Sequence, residues 1–408
     1  MVGAGALLAG PILPNAREKD PAMPPSPSPR WWTFGLLNVA VIAVVSLSGW
    51  YLLADPRTSP LGIYPLPFNT ALFWALMFVV WLGFNLEMSW FSRLPQPLCG
   101  IAFTAATIGG GVAVTWLLSR GLGSVNPDFD PSGPLGVSAY FVAALFVLFG
   151  FSTYIMSVVN WGQWPVAGAM TGQPYVGLGS IALLMVPTIL LWAVLGIPAV
   201  AHPESAVMGV PTLLGWYYSL IIAIVLTGVV GENWPWRLAG TGARLALAAT
   251  AGNVVLGTVL YVGLREVAHL LVGSTNAAAL GAGINLYPAE LGVCWVVWMI
   301  LWANVFGNKP VGLGDAASLA IRAVVTFALA CGTFVAYYFV LAEHVLHEPA
   351  IAHTSLAGDA LGFMDWVALV ALLYIVGFGS WGLHAPSADQ PTEALPVDHP
   401  TAHAAGQN

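Results

Sequence analysis

The sequence predicts an all-α integral membrane protein with about ten transmembrane helices and little mass outside the bilayer. Of its 408 residues, 58% are hydrophobic and only 7% are charged, whereas soluble domains carry about 25% charged residues. Spans of about 20 apolar residues, the length that crosses a bilayer, follow one another with short polar breaks. Many of the 18 tryptophans fall near predicted helix ends, as in interfacial aromatic belts.

The first 30 residues are excluded from the predicted fold. Met1 to Pro14 is apolar but has no basic segment before it, so it is a poor signal peptide. The segment PAMPPSPSP at 21–29 has a composition typical of disorder. We therefore expect residues 1–30 to be a disordered, proline-rich cytoplasmic N-terminus, with Met23 as an alternative start.

The ten predicted helices form one transmembrane domain, residues 31–384, and a polar, proline-bearing tail at 385–408 is predicted to be disordered and cytoplasmic. The helices are placed near residues 32–54, 69–91, 98–120, 137–160, 176–199, 212–232, 241–265, 288–307, 317–342 and 363–384.

The distribution of lysine and arginine predicts the orientation. Eight of the 11 basic residues fall on the side of the termini and three on the other side. Because cytoplasmic loops carry the excess of Lys and Arg, we expect a multi-pass protein of the cell membrane with both termini in the cytoplasm.

An internal repeat of about 73 residues is visible at the ends of the even-numbered helices. A proline follows each copy within five residues. This near-constant spacing predicts five tandem helical hairpins, although Trp and Pro also mark membrane exits in general. The repeated pairs are Ser89-Trp90, Asn160-Trp161, Asn233-Trp234, Asn308-Lys309 and Ser380-Trp381.

The two helices of each hairpin differ in side-chain size. Even-numbered helices are bulky, as at 294–298, and odd-numbered helices are rich in small residues, as at 109–111. Small residues allow close helix approach, so we expect a pseudo-fivefold ring of odd-numbered helices inside a lipid-facing ring of even-numbered ones. This arrangement is similar to that of the TehA/SLAC anion-channel family, in which five helical hairpins surround a central pore.

The face opposite the termini is acidic. It carries ten carboxylates and five histidines against three arginines, which favours cations over anions at its mouth. The carboxylates are Asp55, Asp128, Asp130, Glu204, Glu266, Glu290, Glu343, Glu348, Asp359 and Asp365, and the histidines are His202, His269, His344, His347 and His353.

Two clusters on this face have spacings suited to metal binding. Glu266 and His269 share one helical face at i,i+3, and Glu343, His344 and His347 lie within one turn near the end of the ninth helix. Glu-x-x-His pairs serve carboxylate-bridged metal bundles, and imidazole with carboxylate suits divalent transition metals. The five residues are candidate ligands, or they are interfacial polar groups that solvate helix ends.

Few ionisable or amide groups fall within the predicted spans. Arg322 lies one to two turns into the ninth helix, either as a functional charge or as a side chain snorkelling to the headgroups. Glu232 is expected to pair with Arg237, and Asn253 to form a hydrogen bond between helices. The three cysteines show no CxxC spacing.

Three functions remain open at this point. The first is a transporter or channel for a small solute or cation, through the odd-numbered helices. The second is a membrane-embedded metalloenzyme or redox subunit that uses the His/Glu clusters. The third is a structural subunit of a larger membrane complex. Motifs for nucleotide binding and basic patches for nucleic acid are absent from the sequence, so the lipid bilayer and a small solute or cation are the expected partners. The oligomeric state is left open.

The orientation can be tested by cysteine accessibility. Single cysteines placed in residues 1–30 or 385–408 should resist a membrane-impermeant maleimide in intact cells and react after permeabilisation, because both tails are expected in the cytoplasm. Labelling of either tail from outside intact cells would contradict the predicted topology.

Overall fold

A computed structural model describes residues 30–383. The tails predicted to be disordered, 1–30 and 385–408, lie outside the described residues except for Arg30. The described chain is helical and contains no β-strand. Ten helices are long and apolar enough to cross a membrane: α1 Trp31–Leu53, α2 Phe68–Asn85, α3 Leu98–Leu122, α4 Gly136–Val159, α5 Tyr175–Ala201, α6 Val210–Val230, α7 Ala243–Val272, α8 Ser274–Asn304, α9 Asp315–His344 and α10 Ala360–Gly377.

The predicted and observed helices correspond one to one, and most ends agree within a few residues. The largest difference is at α8, which begins at Ser274 instead of near residue 288, and α7 continues to Val272 instead of ending near Arg265. The charged pair Arg265-Glu266 resembles a membrane exit in the sequence, but the helix ends only where Gly273 adopts a left-handed φ of 84°. The face that carries the loops 54–67, 123–135, 202–209 and 345–359 is called the distal face below.

Burial reverses the predicted roles of the two sets of helices. In the most apolar window of each odd-numbered helix only 22–28% of residues are buried, against 67–94% in the even-numbered helices. The prediction that small-residue odd-numbered helices line the centre is therefore wrong. The side chains of Trp74 and Trp295, expected to face lipid, are 5% exposed.

The small residues of the odd-numbered helices serve a different contact. A Cβ atom added to Gly111 of α3 would lie 2.7 Å from the backbone of Ala71 and Ala75 in α2, and one added to Gly257 of α7 would lie 2.7 Å from the backbone of Leu220 in α6. Each glycine lets an outer helix approach an inner one closely. Small size therefore marks the inward face of the peripheral helices.

The bulky side chains fill the space between the even-numbered helices. Trp74 of α2 stacks on Phe146 of α4 with ring centroids 4.9 Å apart, and Phe149 of α4 meets Tyr217 of α6 edge-to-face at 4.7 Å. Along the chain, α2 contacts α4, α4 contacts α6, α6 contacts α8 and α8 contacts α10, and α10 also contacts α2. The core of the described chain thus lies among the even-numbered helices.

The even-numbered helices end in the same backbone conformation, on the face opposite the distal face. In each, an N–H just past the helix donates to the carbonyl six residues earlier, at 2.8–3.1 Å. Two successive residues there have positive φ. The pairs are 87–88, 162–163, 232–233, 307–308 and 379–380, roughly 70–75 residues apart.

Side chains from a neighbouring hairpin complete several of these ends. Gln96 Nε2 donates to Gly377 O at 2.8 Å, and Gln173 Nε2 donates to Asn85 O at 3.0 Å. Asn233 Nδ2 donates to Asn160 O at 3.0 Å. These bonds satisfy carbonyl groups that a helix end leaves without partners, in a region where lipid cannot supply them.

The sixth helix receives the strongest cap, from Arg322. This side chain is buried, and its guanidinium donates to Val230 O at 2.8 Å, to Pro310 O at 2.8 Å and to Glu232 Oε1 at 2.9 Å. Glu232 therefore pairs with Arg322 and not, as predicted, with Arg237, whose salt bridge is to Asp315.

The predicted interhelical role of Asn253 is confirmed. Its Oδ1 accepts hydrogen bonds from Thr227 Oγ1 at 2.9 Å and from Trp236 Nε1 at 3.1 Å, and its Nδ2 donates to Asn160 Oδ1 at 3.1 Å. The amide of α7 is therefore bonded to groups of α4 and α6, which ties one peripheral helix to two inner ones.

Replacing Arg322 by alanine should lower the free energy of unfolding by about 2–4 kcal/mol, because it removes a buried cation together with its hydrogen bonds to Val230 O, Pro310 O and Glu232. Chemical or thermal unfolding of purified protein in detergent measures the change. Arg237→Ala is the matched control, and its exposed ion pair should contribute less than about 1 kcal/mol. Equal effects of the two substitutions would contradict the capping role.

Candidate functional site

The predicted ligands on α7 point away from the protein interior. Glu266 is exposed, and its Oε1 forms an ion pair with Arg265 of the same helix at 2.8 Å. His269, one turn further along, is also exposed. Surface ion pairs of this kind contribute little to stability.

The predicted ligands near the end of α9 differ in exposure. Glu343 and His344 are exposed, whereas His347 is partly buried and its Nδ1 lies 2.9 Å from Oδ2 of Asp55, in the loop after α1. Burial raises the pKa of the Asp55 carboxyl, but the Arg57 and Thr58 N–H groups and His347 outweigh that effect, so the pKa lies below its ordinary value. An ionised Asp55 then holds the His347 ring.

Across residues 30–383, no group of three or more His, Cys, Asp or Glu side chains is arranged to hold a metal ion. Binding of a divalent metal by Glu266, His269, Glu343, His344 and His347 therefore stays a prediction. What the structure does bring together at the distal face is a different set of acidic side chains.

Four carboxylates lie together near the distal ends of α8 and α10. Glu290 and Asp365 are 2% and 7% exposed within these helices, and Glu348 is 4% exposed in the loop between α9 and α10. Asp359 precedes the first residue of α10. We call Glu290, Glu348, Asp359 and Asp365 the carboxylate cluster.

Glu348 is held by hydroxyl and amide donors. Tyr64 Oη donates to its Oε2 at 2.9 Å, Tyr337 Oη donates to its Oε1 at 2.8 Å, and the Asp359 N–H donates to its Oε2 at 2.8 Å. Burial raises the pKa of Glu348 to about 7, although these three hydrogen bonds act in the opposite direction. Glu348 therefore exchanges a proton near neutral pH.

Glu290 and Asp359 lie beside the first turn of α10. Glu290 Oε2 accepts a hydrogen bond from the Leu361 N–H at 2.9 Å. Burial raises the pKa of Asp359, while neighbouring donors, including the Glu290 carboxyl, limit the rise. Asp359 Oδ1 is buried and has no hydrogen-bond partner among the described residues, so one oxygen of the cluster can still accept a proton or a cation.

Asp365 lies about a turn and a half into α10, and its Oδ1 accepts a hydrogen bond from Tyr218 Oη of α6 at 2.9 Å. Both side chains line a cavity between α2, α4, α6 and α10. The remaining walls are apolar and include Phe73, Phe141 and Phe151. The cavity offers about 60 Å³ to the centres of water-sized molecules, several times the roughly 10–15 Å³ that one water requires.

The carboxylate cluster has no cationic partner among the described residues. The ion pairs and hydrogen bonds of residues 30–383 do not join any of its four members to Lys, Arg or His. A buried carboxylate is costly unless it is paired or protonated. The cluster therefore suits exchange of protons or small cations and disfavours anions.

The sequence contained a signal for this cluster. Glu290 and Asp365 stand inside apolar helical runs, where an ionisable residue suggests function. In the sequence, however, they are two among the ten carboxylates of the distal face, and the His/Glu spacings form the more conspicuous pattern. Their joint position with Glu348 and Asp359 depends on contacts between α8, α10 and the loop between α9 and α10, which the sequence pattern does not show.

Comparison with known protein families, characterised proteins and solved structures finds no match to this chain. The functional assignment therefore rests on the residues and geometry described above.

Stability should fall as pH rises from about 5 to about 8. The folded state keeps the Glu348 proton up to a pKa of about 7, whereas the unfolded chain releases it near pH 4.5. Because the folded state binds more protons in this window, its stability decreases with pH, by roughly 3 kcal/mol for this one group.

Thermal unfolding in detergent at pH 5 and pH 8 measures this dependence. Glu348→Gln should reduce it, leaving the part due to Asp359. Glu343→Gln, a substitution of the same kind at an exposed position, should keep the wild-type profile. An unchanged pH dependence in Glu348→Gln would show that this carboxyl is ionised throughout the range.

Proposed function

We propose that this protein is a membrane transporter or channel for a small cation or cation-coupled solute, with its path among the even-numbered helices. The observation that carries the proposal is the carboxylate cluster, four acids of which three are buried, with no basic partner among the described residues. Retaining such charges inside a membrane protein is expensive, and they typically mark ion or proton pathways.

The four acids can be placed in order relative to α10. Glu348 belongs to the loop before α10, Asp359 immediately precedes α10, Glu290 bonds to Leu361 of its first turn, and Asp365 lines the central cavity. Hydrogen bonds connect the acids to one another or to α10. The Asp359 N–H donates to Glu348, and Glu290 accepts from the Leu361 N–H in the first turn of α10. We propose that cations or protons pass along this sequence to the cavity.

The arrangement of the helices supports a path of this kind. We propose that α2, α4, α6, α8 and α10 form a closed five-membered ring, supported by their contacts in chain order and by the contact of α10 with α2. The same backbone conformation at the end of each of the five helices supports a fivefold internal repeat. Each peripheral helix then covers the ring against lipid.

We further propose that the termini face the cytoplasm of a cell membrane, as the bias of Lys and Arg indicates. The carboxylate cluster would then open to the outside. An acidic entrance raises the local concentration of cations and lowers that of anions, which agrees with cation entry from that side.

The proposal is tested by flux into proteoliposomes that contain purified protein and a pH-sensitive dye, driven by a potassium diffusion potential. Proton uptake is read from the dye, and sodium or rubidium uptake from radioactive tracer. Wild-type protein should exceed protein-free vesicles for at least one of these cations. Asp365→Asn should reduce that flux about tenfold or more, because a charged hydrogen-bonding group is worth about 1.5–3 kcal/mol.

Two matched variants make the result specific. Asp315→Asn removes an exposed carboxylate that pairs with Arg237 at the other membrane face and should leave flux unchanged. Glu290→Gln should reduce flux as Asp365→Asn does. Flux no higher than in protein-free vesicles for all three cations would overturn the proposal, and so would wild-type flux in both Asp365→Asn and Glu290→Gln.

A further inference from the structure

We infer that the central cavity binds a small organic amine in its protonated form, so that alkylammonium ions are the substrate class. This inference rests on the proposed function and deepens it. It is carried by the combination of one buried carboxylate with aromatic and aliphatic walls in a single cavity.

The charge requirement comes from Asp365. The side chain is 7% exposed, lines the cavity and accepts one hydrogen bond, from Tyr218 Oη to Oδ1. No hydrogen bond from the described residues reaches its Oδ2. An N–H donor that carries a positive charge is the complementary ligand, because charge-assisted hydrogen bonds are about twice as strong as neutral ones.

The walls exclude the simplest alternatives. Calcium requires six to eight oxygen ligands, whereas the polar side chains at the cavity are Asp365 and Tyr218 among apolar neighbours. An anion would meet the Asp365 carboxylate without a basic partner. A neutral polyol would lose most of its hydrogen bonds to water on entering such a space.

An alkylammonium ion fits both parts of the cavity. Its head can bond to Asp365, and its alkyl group can contact the rings of Phe73, Phe141 and Phe151. Aromatic faces attract organic cations, most strongly where water is excluded. The volume of about 60 Å³ for water-sized centres admits a molecule of a few heavy atoms, so a short alkyl chain is expected.

The experiment is isothermal titration calorimetry of purified protein in detergent with three probes of similar shape: n-propylammonium, n-propanol and propionate. Saturable binding is expected for n-propylammonium and not for the alcohol or the acid. Asp365→Asn, which keeps the acceptor for Tyr218, should weaken n-propylammonium binding at least about tenfold.

A second substitution tests the shape of the cavity separately from its charge. Ala144→Leu adds bulk to the cavity wall while Asp365 is retained, and it should also weaken binding. Ala113→Leu makes the same change at an exposed position of α3 and should bind as the wild type does. Equal binding of n-propanol, or wild-type binding in both Asp365→Asn and Ala144→Leu, would overturn the inference.

The inference and the proposed function can fail separately. Cavity-dependent binding of n-propylammonium, without uptake of protons, sodium, rubidium or n-propylammonium itself into proteoliposomes, would support the amine site and refute transport. Cation flux that depends on Asp365, together with no heat of n-propylammonium binding, would support the proposed function and refute the amine as its substrate.

Discussion

Inside a bilayer the hydrocarbon offers no hydrogen-bond partner, so the backbone polar groups at the helix ends of this protein depend on partners within the chain. The five inner helices solve this with one backbone device, an N–H that returns six residues to a carbonyl of the last turn. Side chains from neighbouring hairpins, among them Gln96, Gln173 and Arg322, cap further carbonyl groups. The hydrogen bonds that cap the inner helices therefore also hold neighbouring hairpins together.

Close packing is the second consequence of a lipid solvent. Because apolar side chains gain little by leaving lipid for protein, helices associate through fit. The glycines at 111 and 257 let peripheral helices reach the backbone of inner ones, while rings such as Trp74 and Phe146 fill the space between inner helices. The described chain thus buries rings such as Trp74 and Phe149 among its inner helices, and it leaves many aliphatic side chains of the peripheral helices exposed.

The carboxylate cluster differs from the other buried charged groups described above, which have salt-bridge partners within the chain. Arg322 shows how a buried charge in this fold is normally met, by an opposite charge and two carbonyl groups. Glu348 and Asp365 receive tyrosine hydroxyls instead of cations, an arrangement that tolerates either a proton or a transient positive ligand. The contrast between the two faces of the same helix assembly is the physical basis for proposing a cation path through the distal half.

The sequence by itself determined the solvent, the number of helices and the position of each, because apolar length and the scarcity of charge depend on local composition alone. It also located the Trp/Pro signatures at which the inner helices end. Only the tertiary structure decided which helices are central. A glycine on a helix surface allows a neighbouring helix to approach closely whether its own helix is central or peripheral. The tertiary structure likewise decided that Tyr218 bonds to Asp365 and that Glu290 lies near Glu348 and Asp359. Such contacts depend on which distant helices pack together.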